Sequence, residues 1–434
     1  MRLLPLAAAT YFMVSGGPYG IEEILDAGYA RALVLLLALP ILWSLPTALM
    51  IGELASALPE EGGFYVWVRR ALGPFWGFQE AWLSLTASIF DMAIYPTLFV
   101  LYLGRLAPAW TAGWHGAVWE VGLIAICCVW NLLGAPAVGD GSLALFVLLL
   151  SPFAVLVAFA VARGAHPVAA AIPAPTEHAG LSTAILVALW NYMGWDNGST
   201  VAREVDNPQQ NYPRAILMAA GIVTLSYVIP LAAMAWARVP VAAFTTGSWA
   251  DIAHSMAGGW LGLAIVAGGT LTALGMFNAL TMSYARLPMA MAEDGLLPPV
   301  LARTNARGVP WVAVLVCAAA WALALPFNFE RLISLDLILY GASLILEFVA
   351  LIALRIREPE LHRPFRAGNF AMACMLGAAP AGLIVYAMVA ARDERMAHVP
   401  ALLLGAMIAA GGPLFYWLSR KLWARAEVAV SAAD

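Results

Sequence analysis

The sequence predicts an all-α polytopic membrane protein, a single domain with about 12 transmembrane helices. Of its 434 residues, 63% are hydrophobic and 11% are charged, and the mean hydropathy is +0.83. A soluble domain of this length could not bury so much apolar surface. Apolar runs near or above the roughly 20 residues that a helix needs to cross a bilayer recur along the chain. They lie at 3–29, 32–58, 74–104, 117–134, 143–163, 181–205, 213–237, 258–287, 309–326, 331–355, 369–391 and 398–422.

The first span contains an interruption at 15–23, with the sequence SGGPYGIEE. Its three glycines lower helix propensity, and Pro18 lacks a backbone donor. The 13 residues from Leu3 to Ser15 make a helix of about 20 Å, which is too short for a hydrocarbon core of roughly 30 Å. Irregular backbone at that depth persists only where protein encloses a cavity. We therefore predict a break near mid-membrane that forms part of a substrate site, with a kink that binds nothing as the alternative.

Span 6 contains a second interruption at 190–199, with the sequence WNYMGWDNGS. Two glycines weaken the helix there, and Asn and Asp side chains compete for its backbone hydrogen bonds. The two interruptions lie five spans apart, and an odd number of spans per unit inverts the second unit relative to the first. We therefore predict a five-plus-five inverted repeat with broken helices 1 and 6. The repeats would cover 1–165 and 181–356, and 369–434 would add two helices and a short C-terminal tail.

Acidic residues lie deep inside the predicted spans. Asp91 is near the middle of span 3, in a stripe with Glu80 and Tyr95, and Asp336 and Glu347 form a similar stripe on span 10. A carboxylate that faces lipid costs about 2.5 to 3.5 kcal/mol, so these stripes should face inward. No Lys or Arg lies at comparable depth in the predicted spans. Protonation or a cationic ligand should neutralise these acids, and a protonated carboxyl bonded to a backbone carbonyl is the alternative.

Charge and composition also predict the topology and exclude some functions. With both termini cytoplasmic, 15 of the 22 basic residues fall on the inner side, as the positive-inside rule requires. We expect an uncleaved first span and a location in the plasma membrane, which is the inner membrane of a bacterium. The four cysteines lie in apolar runs and the histidines in connections or at a span mouth. We therefore expect no metal, no organic cofactor, no enzymatic centre, no nucleic acid and no obligate protein partner.

Three segments resemble the amino acid/polyamine/organocation superfamily. They are GELASALPEEGGFYVWVRRALG at 52–73, AREVDNP at 202–208 with YPRA at 212–215, and SGGPYGIEE at 15–23. The last is most similar to the branch that contains plant-type polyamine uptake transporters and L-type amino acid transporter-like proteins. The resemblance covers at least 5–355. It implies a LeuT-like fold and alternating-access transport, commonly proton-coupled, of amino acids or polyamines.

Charged residues in these segments are candidates for an inner gate. We predict that Arg69, Arg70, Arg203 and Arg214 pair with Glu53, Glu60 or Glu204 when the inner side is closed. The predicted coupling and gating residues are Glu53, Asp91, Arg203 and Glu204.

The predicted substrate favours amines over carboxylates. Many amino acid carriers of this superfamily have Gly-Ser-Gly at the first break, whereas this chain has Gly-Gly-Pro and loses one amide donor at Pro18. We predict proton-coupled uptake with polyamines slightly favoured; an amino acid exchanger or a sodium-coupled amino acid carrier is the alternative. A membrane-embedded enzyme and a channel are less consistent with the sequence. The predicted substrate-binding residues are Gly16, Gly17, Tyr19, Gly20, Glu22, Asp91, Tyr95, Asn191, Tyr192, Gly194, Trp195, Asp196 and Phe277.

Overall fold

The computed structural model of the chain is almost entirely helical. It describes all residues except 165–180, 328, 391, 393–394, 397–398 and 424–434, so most of the predicted C-terminal tail lies outside the described residues. The helices of the first half are α1 (Leu3–Val14), α2 (Tyr29–Leu39), α3 (Leu45–Ala57), α4 (Phe64–Leu72), α5 (Pro74–Leu106), α6 (Pro108–Thr111), α7 (Trp114–Asn131) and α8 (Ala135–Arg163). A π-helical turn at Pro40–Ser44 joins α2 to α3.

The second half continues the same helical architecture. Its helices are α9 (Leu181–Trp190), α10 (Pro208–Trp236), α11 (Trp249–Ala257), α12 (Gly259–Tyr284), α13 (Arg286–Glu293), α14 (Trp311–Ala322), α15 (Phe329–Arg357), α16 (Phe370–Leu376), α17 (Ala378–Ala390) and α18 (Ala401–Leu422). Short 3-10 helices lie at Glu22–Ala27, Asn197–Glu204, Val241–Ala243 and Pro299–Ala302. Two short antiparallel strands, β1 (Arg395–Met396) and β2 (Val399–Pro400), precede α18.

Eight helical segments among the described residues are long and apolar enough to cross a bilayer, if α2 with α3, α12 with α13, and α16 with α17 each count as one segment. Three shorter apolar helices accompany them. The short ones are α1, α9 and α14. The first two are short because the chain leaves the α-helical conformation at the two predicted interruptions. The prediction for span 9 was wrong in length, because α14 ends at Ala322 and turns follow it. Span 7 begins at Pro208, before the predicted 213, so that Pro208 rather than Pro213 occupies the first turn of α10.

Both interruptions are present, and they lie against each other. After α1 the backbone is extended at Ser15, and Gly17 and Gly20 have φ of 70° and 84°. After α9, Gly194 has φ of 89°, and a Cβ at this position would collide with the carbonyl oxygen of Met13 in α1. Only glycine therefore allows this close approach.

The interrupted helices are enclosed by long, continuous ones. Helix α5 packs against α12 and α15, and α1 packs against α8, α10 and α12. Helix α18 lies at the periphery against α5 and α15, and many of its apolar side chains are exposed. This pattern is typical of a membrane protein, in which lipid covers the outer apolar surface.

Both ends of the described chain lie on one side of the molecule. The Met1 carbonyl accepts a hydrogen bond from the Asp206 amide at 2.9 Å. Near the other end, the Ser419 hydroxyl contacts the Leu296 carbonyl, close to the end of α13. The first residue of α13, Arg286, in turn binds Glu204. We call this side, which also includes α4 and the end of α15, the terminal side.

Candidate functional site

A small cavity lies where the two interruptions meet α5, α12 and α15. Its volume is about 20 Å³, which is room for one or two water molecules. The last turn of α1, the second interruption and all three continuous helices contribute residues to it, whereas residues 15–23 of the first interruption are not part of the lining. The lining residues are Met13, Val14, Asp91, Tyr95, Trp190, Asn191, Met193, Gly194, Asn197, Met276, Tyr284, Asp336 and Tyr340.

The polar groups of this cavity are mainly acids and the tyrosines that donate to them. Asp91 accepts a hydrogen bond of 2.6 Å from the Tyr95 hydroxyl, one helical turn away on α5. Asp196 lies just behind the lining and accepts a hydrogen bond of 2.5 Å from Tyr340. Asp336 lines the cavity directly, and all three aspartates are buried. None of the described lining residues is Arg, Lys or His.

Four of the residues predicted to bind substrate line this cavity, and a fifth lies one hydrogen bond behind it. Asp91 and Tyr95 reach it from α5, and Asn191 and Gly194 from the second interruption. The fifth is Asp196, which is connected to the cavity through Tyr340. The two interruptions and the polar stripe of α5 therefore converge.

Three aromatic residues predicted to contact substrate lie outside the lining. The Tyr19 hydroxyl donates to the Ile265 carbonyl at 2.6 Å. The Tyr192 hydroxyl donates to the Leu36 carbonyl at 2.8 Å, on the side facing α2. Phe277 packs edge to face against Trp321, with 5.4 Å between ring centroids. These two hydroxyls and the Phe277 ring attach the broken segments and α12 to neighbouring helices.

The acid predicted at the first break is satisfied by the backbone. Glu22 accepts hydrogen bonds from the amides of Gly20 at 2.7 Å and Gly247 at 3.0 Å, and from the Tyr102 hydroxyl at 3.2 Å. Glu22 thus stabilises the irregular backbone of the first interruption.

Trp195 also lies outside the lining. Its side chain is fully buried, and its indole N–H has no hydrogen-bond partner among the described residues.

Three backbone amides at the breaks are already in use. Gly17 donates to the Ser15 hydroxyl at 3.0 Å, and Gly20 donates to Glu22. The Gly194 amide donates to the Tyr340 hydroxyl at 3.0 Å. Gly16 is held against α12, where a Cβ would meet side-chain atoms of Thr272 and Met276. In this conformation the amides of Gly17, Gly20 and Gly194 are therefore not free to receive a substrate carboxylate.

Sequence reasoning did not select several residues that line the cavity. Asp336 was part of a polar stripe with Tyr340, and that spacing of four residues was the available signal. Tyr284, at the end of α12, and Asn197, at the start of a 3-10 helix, line the cavity as well. No periodicity singles them out, because the regular pattern ends at those positions.

The ion pairs of the terminal side differ from the predicted ones. Glu53 on α3 binds Arg355 on α15, with an Nε to Oε1 distance of 2.9 Å, and also approaches Arg363 at 3.2 Å. The predicted partners of Glu53 were wrong, because the fold brings the end of α15 to α3. Arg69 instead pairs with Asp294, and Arg70 with Glu358.

A second cluster joins the end of the second interruption to α13. Arg286 is 1% exposed and binds Glu204, with an Nε to Oε1 distance of 3.0 Å, and Glu61 at 3.3 Å. Arg203 lies 3.9 Å from Glu61 and 3.8 Å from Glu293. The predicted partners of Glu204 were therefore wrong, because Glu204 binds Arg286. Arg214, which was one of the predicted partners, has an exposed side chain. Burial raises the pKa of Glu61, which Arg286 partly offsets.

The opposite side of the molecule has polar contacts of its own. Arg105, at the end of α5, forms an ion pair with Asp251 on α11, and Glu23 contacts the Thr246 hydroxyl. Ion pairs therefore lie on both sides of the cavity.

Comparison with known proteins gives a consistent result. A family model described as amino acid permease matches residues 8–410. Polyamine transporter PUT1 of Oryza sativa subsp. japonica is 34% identical over 435 residues, which covers 99% of this chain and 80% of the relative. Polyamine transporter RMV1 of Arabidopsis thaliana is 30% identical over 98% of this chain and 86% of its own length. The serine/threonine exchanger SteT of Bacillus subtilis is 27% identical over 74% of this chain and 75% of its own length.

Proposed function

The chain belongs to the amino acid permease family, and from this premise we propose that it is a secondary active carrier that imports polyamines together with protons. The proposal includes alternating access, in which the cavity opens to one side of the membrane at a time. The substrate enters and leaves chemically unchanged, and no cofactor takes part. Two relatives of high coverage are named polyamine transporters, which supports the choice of substrate.

The observation that carries the proposal is the acidic, base-free lining of the central cavity. Asp91 and Asp336 line it and Asp196 lies behind Tyr340, while its described lining contains no cationic side chain. A polyamine carries two or more ammonium groups and no carboxylate, so it complements this lining. Trp190 and Tyr95 add aromatic faces, and cation-π contacts contribute roughly 0.5 to 2 kcal/mol each.

The occupied backbone amides argue against an amino acid as the first choice. The carboxylate of an amino acid needs donors, and those of Gly17, Gly20 and Gly194 are bound within the chain. An amino acid exchanger remains the second candidate because the exchanger SteT is a relative. That function would require the broken segments to release these amides when substrate binds.

We extend the proposal to the architecture. Twelve spans in a five-plus-five inverted repeat, 1–165 and 181–356, with 369–434 outside it, agree with interruptions that meet at one cavity. A cytoplasmic location for the terminal side, in a plasma membrane, agrees with its many arginines.

Alternating access requires the contacts on the two sides of the cavity to open in turn. A cavity of about 20 Å³ is too small for a diamine, so the helices around it must separate before substrate binds. We propose that Glu53, Arg203 and Glu204 belong to the gate on the terminal side, since they join α3, the second interruption, α13 and α15 by ion pairs. The pair of Arg105 with Asp251 would close the opposite side.

Transport by purified protein in liposomes tests the proposal. Labelled putrescine should accumulate when the outside is more acidic than the inside, and a proton ionophore should abolish the accumulation. Unlabelled spermidine should compete in counterflow, whereas serine and threonine should not. Liposomes without protein provide the background. Competition by amino acids alone would favour the exchanger and contradict the proposal.

A further inference from the structure

Two buried glutamates lie outside the cavity and have no role in the site described so far. Glu80 on α5 and Glu347 on α15 are both 0% exposed. Neither carboxylate oxygen of Glu347 has a hydrogen-bond partner among the described residues, and neither does Oε2 of Glu80. The other oxygen of Glu80 accepts a hydrogen bond of 2.8 Å from the Ser84 hydroxyl. We call Glu80 and Glu347 the inner acid pair.

The inner acid pair differs from the structural acids of the same protein. Glu53 is equally buried, but Arg355 and the Ala367 amide hold its carboxylate, the latter at 2.8 Å. A buried carboxylate without such partners is costly when it is charged, and it becomes tolerable when a proton neutralises it. The unpartnered oxygens of the inner acid pair are thus suited to binding and releasing a proton.

The inner acid pair lies between the cavity and the terminal side. Glu347 is seven residues beyond Tyr340 on α15, which is about 10 Å along the helix toward its terminal-side end. Glu80 is eleven residues before Asp91 on α5, which is about 16 Å toward the same side. The helices α5 and α15 pack against each other.

Titratable groups continue on both sides of the pair. Glu347 interacts electrostatically with two other acids, Asp196 at the cavity and Glu80. Glu80 in turn interacts electrostatically with Tyr65 of α4. The Tyr65 hydroxyl donates to Asp294 at 2.5 Å, and the Asp294 side chain is 27% exposed on the terminal side. Proton-binding groups therefore occur at intervals between the cavity and the partly exposed Asp294.

We propose that the inner acid pair carries the coupled proton between the cavity and the terminal side. The inference rests on the proposed function and adds to it the residues that move the proton. A proton leaves Asp196 and binds the Glu347 carboxylate, which becomes a neutral carboxylic acid. It then passes to Glu80 and is released to water near Asp294. At each step one O–H bond breaks as another forms, so the pair gains and loses one proton per cycle.

A proton fits this place better than a metal cation does. Among the described residues, no group of three or more His, Cys, Asp or Glu side chains is placed to hold a metal ion. Because the inner acid pair is separate from Asp91 and Asp336, a polyamine and a proton can bind at different acids. Substrate exchange and proton movement should then be separable by mutation.

Two substitutions test this inference, Glu347→Gln and Glu80→Gln, each in the full chain in liposomes. Counterflow of labelled putrescine requires no net proton movement, so it should stay within about twofold of the native rate and show that the variants are folded. Accumulation driven by a proton gradient should fall at least about tenfold. A trapped pH-sensitive dye should no longer report proton entry with putrescine.

Glu120→Gln on α7 is the matched control, because it makes the same chemical change at a partly buried acid of another span. It should accumulate putrescine like the native protein. Native accumulation by both inner acid variants would overturn this inference and leave the proposed function intact. Loss of counterflow together with accumulation would also overturn it, since the acids would then serve substrate or structure. A native protein that neither exchanges nor accumulates putrescine would overturn the proposed function and the inference with it.

Discussion

Acids have different hydrogen-bonding partners on the terminal side and at the central cavity. On the terminal side, Glu53 is bound by Arg355, and Glu204 by Arg286. At the centre, tyrosine hydroxyls donate to Asp91 and Asp196, and Asp336 lines the cavity. The guanidinium groups carry permanent positive charge, whereas the hydroxyls are neutral donors.

The difference separates acids that hold the structure together from acids that are available to mobile cations. An arginine neutralises a carboxylate permanently, so such an acid contributes to the closed arrangement of helices. A hydroxyl donor stabilises a carboxylate without cancelling its charge, so the charge remains for an ammonium group or a proton. The comparison predicts that mutations on the two sides will affect different properties, namely stability and substrate affinity.

The largest expected effect is on stability, from Glu53→Gln. This change leaves the Arg355 guanidinium, whose side chain is 2% exposed, without its negative partner. Loss of one member of a buried ion pair typically costs about 3 to 5 kcal/mol. Denaturant titration of the purified protein in detergent should show a decrease of that size in the free energy of unfolding. The double variant Glu53→Leu with Arg355→Leu should recover only part of it, because Arg363 and the Ala367 amide also lose Glu53 as a partner. A loss below about 1 kcal/mol for Glu53→Gln would contradict the comparison.

The next effect is on affinity, from Asp91→Asn. The Tyr95 hydroxyl can still donate to the amide oxygen, and no cation lines the described cavity to be left unpaired. Stability should therefore stay within about 1 kcal/mol of native. The affinity for spermidine should fall by about 2 to 3 kcal/mol, which is roughly 30- to 150-fold in Kd.

Thermal-shift titration with spermidine measures this change. Asp140→Asn is the control, because Asp140 lies exposed on α8. Unchanged spermidine affinity in Asp91→Asn would remove Asp91 from the substrate site. A large loss of stability without ligand would place it among the structural acids instead.

Local chemistry made the breaks and the acidic stripe predictable from sequence. Glycines and Pro18 lower helix propensity wherever they occur, so the interruption after α1 follows from neighbouring residues. The stripe of Glu80, Asp91 and Tyr95 follows from the helical repeat, which fixes the face that each residue occupies.

Long-range contacts could not be predicted in the same way. Glu53 and Arg355 are 302 positions apart, and nothing in their local sequence selects one arginine over another. Tyr19 and Tyr192 lie in irregular segments, where no periodicity shows which way a side chain points. The number and size of the residues that line the cavity likewise depend on how five segments meet.

The smallest expected effect comes from an exposed pair on the terminal side, Arg70 and Glu358. Their two hydrogen bonds are 2.9 and 2.7 Å long, but the side chains are 39% and 33% exposed. Exposed pairs contribute about 0.2 to 1 kcal/mol, so Arg70→Ala should cost no more than that near pH 7.

The pH dependence of the Arg70→Ala effect distinguishes this pair from a structural one. The hydrogen bond from Arg70 lowers the pKa of Glu358 below its ordinary value of 4.5. A lowered pKa in the folded state stabilises the fold above the unfolded-state pKa, and this contribution is lost as the pH falls through the folded-state pKa. The difference in unfolding free energy between native and Arg70→Ala protein should therefore vanish as Glu358 becomes protonated. If it persisted in acid, or matched the loss from Glu53→Gln, exposed and buried pairs would hold the terminal side equally, and the comparison would fail.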